Sequence, residues 1–250
     1  MKIIITDSYI QMSEIAARII SQVMIQKPDA TLGLATGTTP IGTYKTLAES
    51  SAKGIISFRD IHTVNLDEYV GLDYNNKQSY HYFMKENLFR FIDIKKENIH
   101  IPNGLGDDLE GNCKEYDEIL KKYPRDIQLL GIGGNGHIGF NEPGTPFKSS
   151  THIVNLTERT IKDNSRLFDS FEEVPKKAIT MGILEICRAK KVLLLASGAN
   201  KADAIYNFIH GEVTEQCPAS VLHLHNDLTI VIDQDAAYKL DKKVIDYING

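Results

Sequence analysis

The fold is decided by residues 2–35, KIIITDSYIQMSEIAARIISQVMIQKPDATLGLA. This stretch begins with an apolar run at 2–6 and ends with another at 31–35, and both runs are rich in residues that favour strands. Between them, Ser8 and Gln11 form a capping box, and apolar side chains follow at helical spacing. A strand, a helix and a second strand in this order predict a βαβ unit with two parallel strands.

The same alternation continues along the rest of the chain. Several apolar runs have no polar alternation, which is typical of strands covered on both faces. Because there is neither a low-complexity linker nor an internal repeat, we predict one Rossmann-like α/β domain over residues 1–250, with a mostly parallel sheet covered by helices on both faces. The predicted strands are 2–6, 31–35, 61–65, 127–132, 191–197 and 228–233, and the predicted helices are 8–23, 40–50, 80–91, 109–122, 160–168, 182–189, 200–209 and 242–248.

Residues 139–177 form the one long region without a clear pattern. They contain three prolines around one short predicted helix. A segment of this length inside a compact domain is usually functional, so we predict that 139–177 is an active-site lid.

Composition and charge exclude several classes of protein. Hydrophobic residues make up 42% of the chain and charged residues 24%, which is ordinary for a globular protein. No stretch approaches 18 apolar residues, so we expect no membrane span. The net charge of −5, without long runs of one sign, indicates neither a nucleic acid nor an anionic membrane as partner. The three cysteines, Cys113, Cys187 and Cys217, have neither disulfide nor metal spacing, which favours a reducing cytoplasm.

Two turns between a predicted strand and a predicted helix have the features of an anion site. The first contains Gly37, Thr38 and Thr39, followed by a proline in the first turn of the helix. The second ends in Lys201, which adds an ammonium group. Free N–H groups at a helix N-terminus bind phosphate well, and ligands of open α/β sheets lie beyond the carboxyl ends of the strands. Each turn by itself could equally be a well-capped connection.

Two further segments carry acid–base groups. Asp67 and Glu68 follow a predicted strand, where they could serve as a general base, as metal ligands or as an ordinary helix cap. In the glycine-rich run after residue 130, Asn135, His137 and Glu142 fall within eight residues and could form an acid–base relay. The alternative for the second segment is a turn with a solvated histidine.

The sequence disfavours two other chemistries, dinucleotide binding and metal binding. Gly131, Gly133 and Gly136 match the dinucleotide fingerprint, but no helical stripe follows the last glycine. His223 and His225, as alternate residues of a strand, would share one face and could bind a metal, although no further ligand set completes such a site.

Four segments in this order closely resemble the glucosamine-6-phosphate deaminase family. They are Thr-Gly-Thr-Thr-Pro at 36–40, Asn-Leu-Asp-Glu-Tyr-Val-Gly-Leu at 65–72, Gly-Asn-Gly-His-Ile-Gly-Phe-Asn-Glu-Pro at 134–143 and Asn-Ser-Arg at 164–166. The likeness extends through nearly the whole chain. The related 6-phosphogluconolactonases share the fold and the phosphate loop but lack the Phe-Asn-Glu-Pro continuation.

The resemblance implies conversion of glucosamine 6-phosphate and water to fructose 6-phosphate and ammonia, without a metal or an organic cofactor. It implies that His137, supported by Asn135 and Glu142, opens the sugar ring. Asp67 would then move a proton from C2 to C1. The phosphate ligands implied by the resemblance are Thr38 and Thr39 of the first turn, which Gly37 opens to the ligand, together with Arg166 and Lys201.

Two departures from the family pattern matter. Position 135 is Asn where some members carry Asp. Hexameric members bind N-acetylglucosamine 6-phosphate at a subunit interface through an Arg and a Lys, whose positions here resemble His152 and Val154, and through a tyrosine in a longer tail. We therefore expect a monomer or a small homo-oligomer without that allosteric site. A sugar-phosphate sensor, a related aldose–ketose isomerase and a galactosamine-6-phosphate deaminase remain alternatives.

Overall fold

The central sheet has seven strands, all parallel. A computed structural model describes residues 1–156, 161, 168, 170, 173–241 and 243. In spatial order the strands of this sheet are β1, β10, β9, β6, β2, β3 and β5. Their bounds are β1 Lys2–Thr6, β2 Thr31–Leu34, β3 His62–Asn65, β5 Ile99–His100, β6 Ile127–Leu130, β9 Val192–Ala196 and β10 Leu228–Asp233.

Helices cover both faces of this sheet, as the apolar strands predict. On one face α1 and α2 pack with the β9 side chains Leu193 and Leu195, whereas on the other face α4 and α6 pack with Leu194. Successive residues of one strand thus belong to two separate cores. The helices among the described residues are α1 Tyr9–Gln26, α2 Ile41–Ala52, α3 Tyr80–Asn87, α4 Leu109–Lys122, α5 Ile183–Cys187, α6 Ala202–His210 and α7 Gln234–Ala237.

A second, antiparallel sheet of three strands was not predicted from the sequence. It consists of β4 Asp67–Tyr69, β8 Lys177–Thr180 and β7 His152–Asn155, in that order. Strand β7 lies inside 139–177, so part of that region has regular structure. Each of the three strands has only three or four residues, and their pairing joins segments that are distant in the sequence. The lid itself stays a prediction, and most of the predicted helices 160–168 and 242–248 lies outside the described residues.

Several helix ends differ from the sequence prediction. Ser8 caps α1 by accepting a hydrogen bond from the Gln11 N–H at 3.3 Å. The Gln11 side chain reaches back to the Asp7 N–H at 2.6 Å, one residue before the position that a capping box uses. The predicted helix 80–91 ends its α-helical part at Asn87 and continues as a 3₁₀ turn. None of the described helices is long and apolar enough to cross a membrane.

Candidate active site

The first predicted anion turn lies at the carboxyl end of β2. Gly37 has a φ of 91°, a backbone conformation that side chains disfavour, which explains glycine at this position. The buried Tyr44 hydroxyl donates to the Ala35 carbonyl at 2.5 Å and accepts from the Ala35 N–H at 3.1 Å. From α1, the Tyr9 hydroxyl donates to the Thr38 carbonyl at 3.2 Å. Two tyrosines therefore fix the loop that carries Gly37, Thr38 and Thr39.

The second predicted anion turn lies at the carboxyl end of β9. Gly198 has a φ of 89°, and its N–H donates to the Asp233 carboxylate at 3.0 Å. Lys201 follows in a 3₁₀ turn, Ala199–Lys201, that precedes α6. Its ammonium group donates to the Ile132 carbonyl at 2.8 Å, beyond the end of β6. Lys201 thus links the second turn to the start of the glycine-rich loop.

Asp67 is a buried carboxylic acid whose neighbours disfavour its charge. The residue is 6% exposed, and among the described residues no hydrogen bond or ion pair engages its carboxylate. Burial first, and then the charge of Glu68, raise the pKa of Asp67 to about 8. A carboxyl group with this pKa takes up and releases a proton near neutral pH.

Three tyrosines in the neighbourhood of Asp67 direct their hydroxyl groups to other partners. The charge of Asp67 contributes to a raised pKa at Tyr44, Tyr80 and Tyr116, so all three lie near it. The Tyr116 hydroxyl donates to the Asn65 carbonyl at 2.5 Å, Tyr44 donates to Ala35, and Tyr80 has side-chain hydrogen bonds with Tyr69 and Thr36. Because these hydroxyls are bonded elsewhere, Asp67 stays a strong base.

The adjacent acid, Glu68, has a different environment. Its two carboxylate oxygens accept hydrogen bonds from the N–H groups of Tyr69, Tyr80 and His81 at 2.8–3.0 Å, and Nδ1 of His81 lies 2.8 Å away. The first residues of α3 supply two of these donors. Of the two acids, Glu68 therefore satisfies first-turn N–H groups of α3, whose N-cap is Ser79. Asp67 is the acid that receives no hydrogen bond from the residues that the structure describes.

The glycine-rich loop after β6 brings Asn135, His137 and Glu142 together. The Asn135 side-chain N–H donates to Glu142 Oε2 at 2.7 Å, and Nδ1 of His137 lies 2.7 Å from Asn135 Oδ1 and 3.5 Å from Glu142 Oε1. A carboxylate and an amide oxygen on one ring nitrogen favour a proton there, which leaves Nε2 for exchange with a ligand. At Gly133 an added Cβ would overlap the His137 ring, so this glycine gives the imidazole its space.

Asp67 and the loop that carries the relay are neighbours. An ideal Cβ at Gly139 would lie 3.6 Å from Asp67 Oδ2, so the loop passes directly over this carboxyl group. Thr180 of β8 is paired with Asp67, and its hydroxyl accepts a hydrogen bond from the Phe140 N–H at 3.1 Å. The buried Asn141 side chain donates to the Ile138 and Met181 carbonyls, both at 2.9 Å. These contacts join the relay loop to the second sheet.

Sequence reasoning missed the residues that hold the site together. Tyr44, Thr180 and Asn141 carry no motif of their own for this role, and only Asn141 lies within a segment that was singled out. Their partners are distant along the chain, so no local spacing indicates the contact. Arg166, a predicted phosphate ligand, lies outside the described residues.

The two disfavoured chemistries find no support in the fold. After Gly131, Gly133 and Gly136 no helix begins; the next pairing is a bridge between Ile138 and Asn141. The expectation of a strand at His223 and His225 was wrong, because a 3₁₀ helix, Pro218–Leu224, starts at a proline there. The two rings contact different carbonyls, those of Phe208 and Ala189. Among the described residues no cluster of three or more His, Cys, Asp or Glu could hold a metal ion.

The topology and the loops at the carboxyl ends of its strands define a Rossmann-like α/β enzyme. The family described as glucosamine-6-phosphate isomerases/6-phosphogluconolactonase matches residues 7–231, and the chain belongs to this family. It is similar to the glucosamine-6-phosphate deaminase of Thermoanaerobacter sp. (strain X514), with 55% identity over 95% of this chain and 94% of the relative. The deaminase of Clostridium botulinum (strain Alaska E43 / Type E3) is 52% identical over 97% and 98% of the two chains.

Solved structures agree with this assignment. A monomeric glucosamine-6-phosphate deaminase matches with a TM-score of 0.93 and 51% identity, over 95% of this chain and 99% of that one. The 6-phosphogluconolactonase of Trypanosoma brucei matches with a TM-score of 0.76 and 18% identity, over 96% and 98% of the chains, which supports the fold alone. The resemblance inferred from the sequence motifs is therefore confirmed.

Proposed function

We propose that this chain converts glucosamine 6-phosphate and water to fructose 6-phosphate and ammonia. The observation that carries the proposal is the pairing of a buried carboxyl group, Asp67, with a histidine relay at one edge of the sheet. The curated relatives named as glucosamine-6-phosphate deaminases, which match over nearly the whole chain, support the same substrate.

Ring opening comes first, because the carbonyl at C1 is masked in a closed sugar and C2–H is then not acidic. His137 would move the proton between the sugar hydroxyl and the ring oxygen. Its contacts with Asn135 and Glu142 orient the imidazole. Such a positioned group typically contributes about 10²–10⁴-fold in rate.

Asp67 would take the proton from C2 of the open sugar and return it at C1. The resulting ketimine is hydrolysed, and ammonia leaves. A pKa of about 8 suits this role, because a general base is most effective when its pKa lies near the working pH. The lack of competing hydrogen bonds leaves the carboxylate available to the substrate.

The phosphate group would bind between the two anion turns. Thr38 and Thr39 border the N-terminus of α2, and Gly37 keeps the approach to the backbone open. Lys201 contributes positive charge from the second turn, and Arg166 is proposed from the sequence resemblance alone. Segment 139–177, which carries Arg166, is proposed as the lid that closes over the sugar.

The decisive experiment mixes the purified protein with glucosamine 6-phosphate or with its C4 epimer and measures released ammonia. We expect release from the glucosamine substrate. The variant Asp67→Asn should lose turnover by at least 10²-fold while still binding the sugar phosphate, because the amide keeps the size of the side chain but cannot take the proton. Equal release from Asp67→Asn and the wild type would contradict the mechanism, and exclusive use of the C4 epimer would reassign the substrate.

The working compartment is proposed to be the cytoplasm. Cys113, Cys187 and Cys217 all carry free thiols. Burial raises the pKa of each thiol, so all three are poor nucleophiles at neutral pH. Free thiols of this kind are usual where the surroundings are reducing.

A further inference from the structure

Glu68 is a buried acid for which the mechanism above has no use. It is the central residue of β4 and only 1% exposed. Adjacent residues of a strand point to opposite faces, so Glu68 turns away from the side that Asp67 occupies. Its carboxylate lies against the first turn of α3 and the ring of His81.

Backbone donors hold the Glu68 carboxylate. Three N–H groups donate to it, at 2.8 Å from Tyr69, 2.9 Å from Tyr80 and 3.0 Å from His81. Two of these donors belong to the first turn of α3, where the helix dipole favours a negative group. The backbone therefore holds a carboxylate in the interior, one residue along β4 from Asp67.

Among the residues that the structure describes, the groups near Asp67 are tyrosine hydroxyls and the relay loop. Neutral hydroxyls approach it from α2, α3 and α4, those of Tyr44, Tyr80 and Tyr116, and each is hydrogen-bonded elsewhere. The relay loop, with His137 and Glu142, approaches through Gly139, which has no side chain. Burial and the charge of Glu68 are the two causes of the raised pKa of Asp67.

We propose that Glu68 is a positioning residue that sets the basicity of Asp67, using the N-terminus of α3 to hold a like charge beside the group that takes the substrate proton. A like charge nearby makes a carboxylate a stronger base. The inference rests on the proposed function in so far as it concerns proton transfer from substrate. Nδ1 of His81 lies 2.8 Å from the Glu68 carboxylate, and the His81 ring stacks on Tyr74 at 4.1 Å between centroids.

The experiment compares the pH dependence of kcat/KM in the wild type and Glu68→Gln. Glutamine keeps the size and one acceptor oxygen but removes the charge. We expect the acid limb of the profile to move to lower pH by about one unit, because Asp67 becomes a weaker base. The plateau rate should fall, with KM nearly unchanged. If Glu68 only stabilised the N-terminus of α3, Glu68→Gln would lower the melting temperature without shifting the acid limb of the kcat/KM profile.

A second pair of variants leaves Glu68 and its backbone hydrogen bonds in place. His81→Lys puts a permanent cation beside Glu68, and His81→Gln is the neutral control. The acid limb of the kcat/KM profile should lie at lower pH in His81→Lys than in His81→Gln, because the added cation offsets the charge of Glu68. This comparison decides the question if Glu68→Gln does not fold, and an unmoved limb in the folded variants would overturn the proposal.

A direct titration separates this inference from the proposed function. The infrared carboxyl band that disappears in Asp67→Asn is followed against pH in wild type and Glu68→Gln, without substrate. We expect its midpoint to be lower in Glu68→Gln. If the wild type releases no ammonia but the midpoint moves, the proposed function fails and the role of Glu68 stands; if the midpoint does not move, the role of Glu68 is refuted whatever the activity.

Discussion

Asp67 and Glu68 are chemically similar neighbours that the structure separates by their hydrogen bonds. Glu68 accepts three backbone N–H groups, whereas no hydrogen bond among the described residues reaches the Asp67 carboxylate. The sequence indicated that both acids follow a strand, but it could not show which of them is the general base and which binds the helix N-terminus. Two of the three donors come from α3, more than ten residues further along the chain.

The raised pKa of Asp67 predicts a stability cost that depends on pH. The pKa is about 8 in the folded protein against a usual 3.8, so between these values the folded state holds a proton that the unfolded chain has released. Stability should therefore fall as pH rises from about 4 to about 8. Asp67→Asn removes this cost, and its melting temperature should exceed that of the wild type by on the order of 5 °C at pH 8, with the gain vanishing near pH 4.

Thermal denaturation at several pH values measures this effect. The matched control is Asp107→Asn, the same chemical change at an exposed residue. We expect no pH-dependent difference for the control. A gain in Asp67→Asn that is equal at pH 4 and pH 8 would refute a raised pKa as its cause.

Asn135 lies between a ring nitrogen and a carboxylate, at 2.7 Å from each. In Asn135→Asp the donor to Glu142 becomes a second carboxylate, and two acids at this distance cannot both be ionised without a proton between them. The shared proton lies next to His137, so it changes the pH at which the relay is correctly protonated. We expect the variant to stay active with a shifted pH profile of kcat/KM, and a folded but inactive variant would contradict this interpretation of the relay.

Elements that are long or strongly apolar could be predicted from the sequence, whereas short ones could not. The predicted bounds agree with the structure for strands 2–6 and 228–233 and for helix 109–122. The two strands are runs of β-branched apolar residues, and the helix has a periodic apolar stripe. Strands β4, β7 and β8 have three or four residues and depend on one another for pairing. At His223 and His225 the alternation that suggested a strand covers only three residues. The segment instead forms a 3₁₀ helix that starts at the proline at 218.

The glycine-rich loop offers a matched pair of substitutions at the scale of one element. An added Cβ at Gly133 would overlap the His137 ring, whereas one at Gly131 would have no atom within 4 Å. Gly133→Ala should therefore displace the imidazole and lower kcat on the order of 10²-fold, the range of a lost acid–base group. Gly131→Ala should resemble the wild type. Steady-state kinetics with both variants, checked for folding by circular dichroism, test this; equal rates would show that the ring position is not fixed by Gly133.

In the whole molecule, the two sheets explain why Asp67 lies beside the loop that carries His137. The parallel sheet places the carboxyl ends of β3 and β6 at the same edge, as the alternation of strands and helices predicts. The antiparallel sheet then fixes the loops that leave those ends, through Thr180 and through Met181, whose N–H donates to the Leu66 carbonyl at 2.6 Å. Only the first of these two steps could be predicted from the sequence.

The absence of two cations from β7 leads to a prediction for the whole enzyme. His152 and Val154, both half-buried, stand where the resemblance indicates the Arg and Lys that bind N-acetylglucosamine 6-phosphate in hexameric members. Nδ1 of His152 lies 2.8 Å from the Ser150 carbonyl of the same chain, so this ring is oriented by its own loop. A valine cannot pair with a phosphate, and one histidine offers less charge than two permanent cations.

We expect hyperbolic dependence of rate on glucosamine 6-phosphate, unchanged by N-acetylglucosamine 6-phosphate, and a monomer or small oligomer in light scattering. Sigmoidal curves that this compound makes hyperbolic would refute the prediction, since cooperative activation requires a second site with a different affinity in two states.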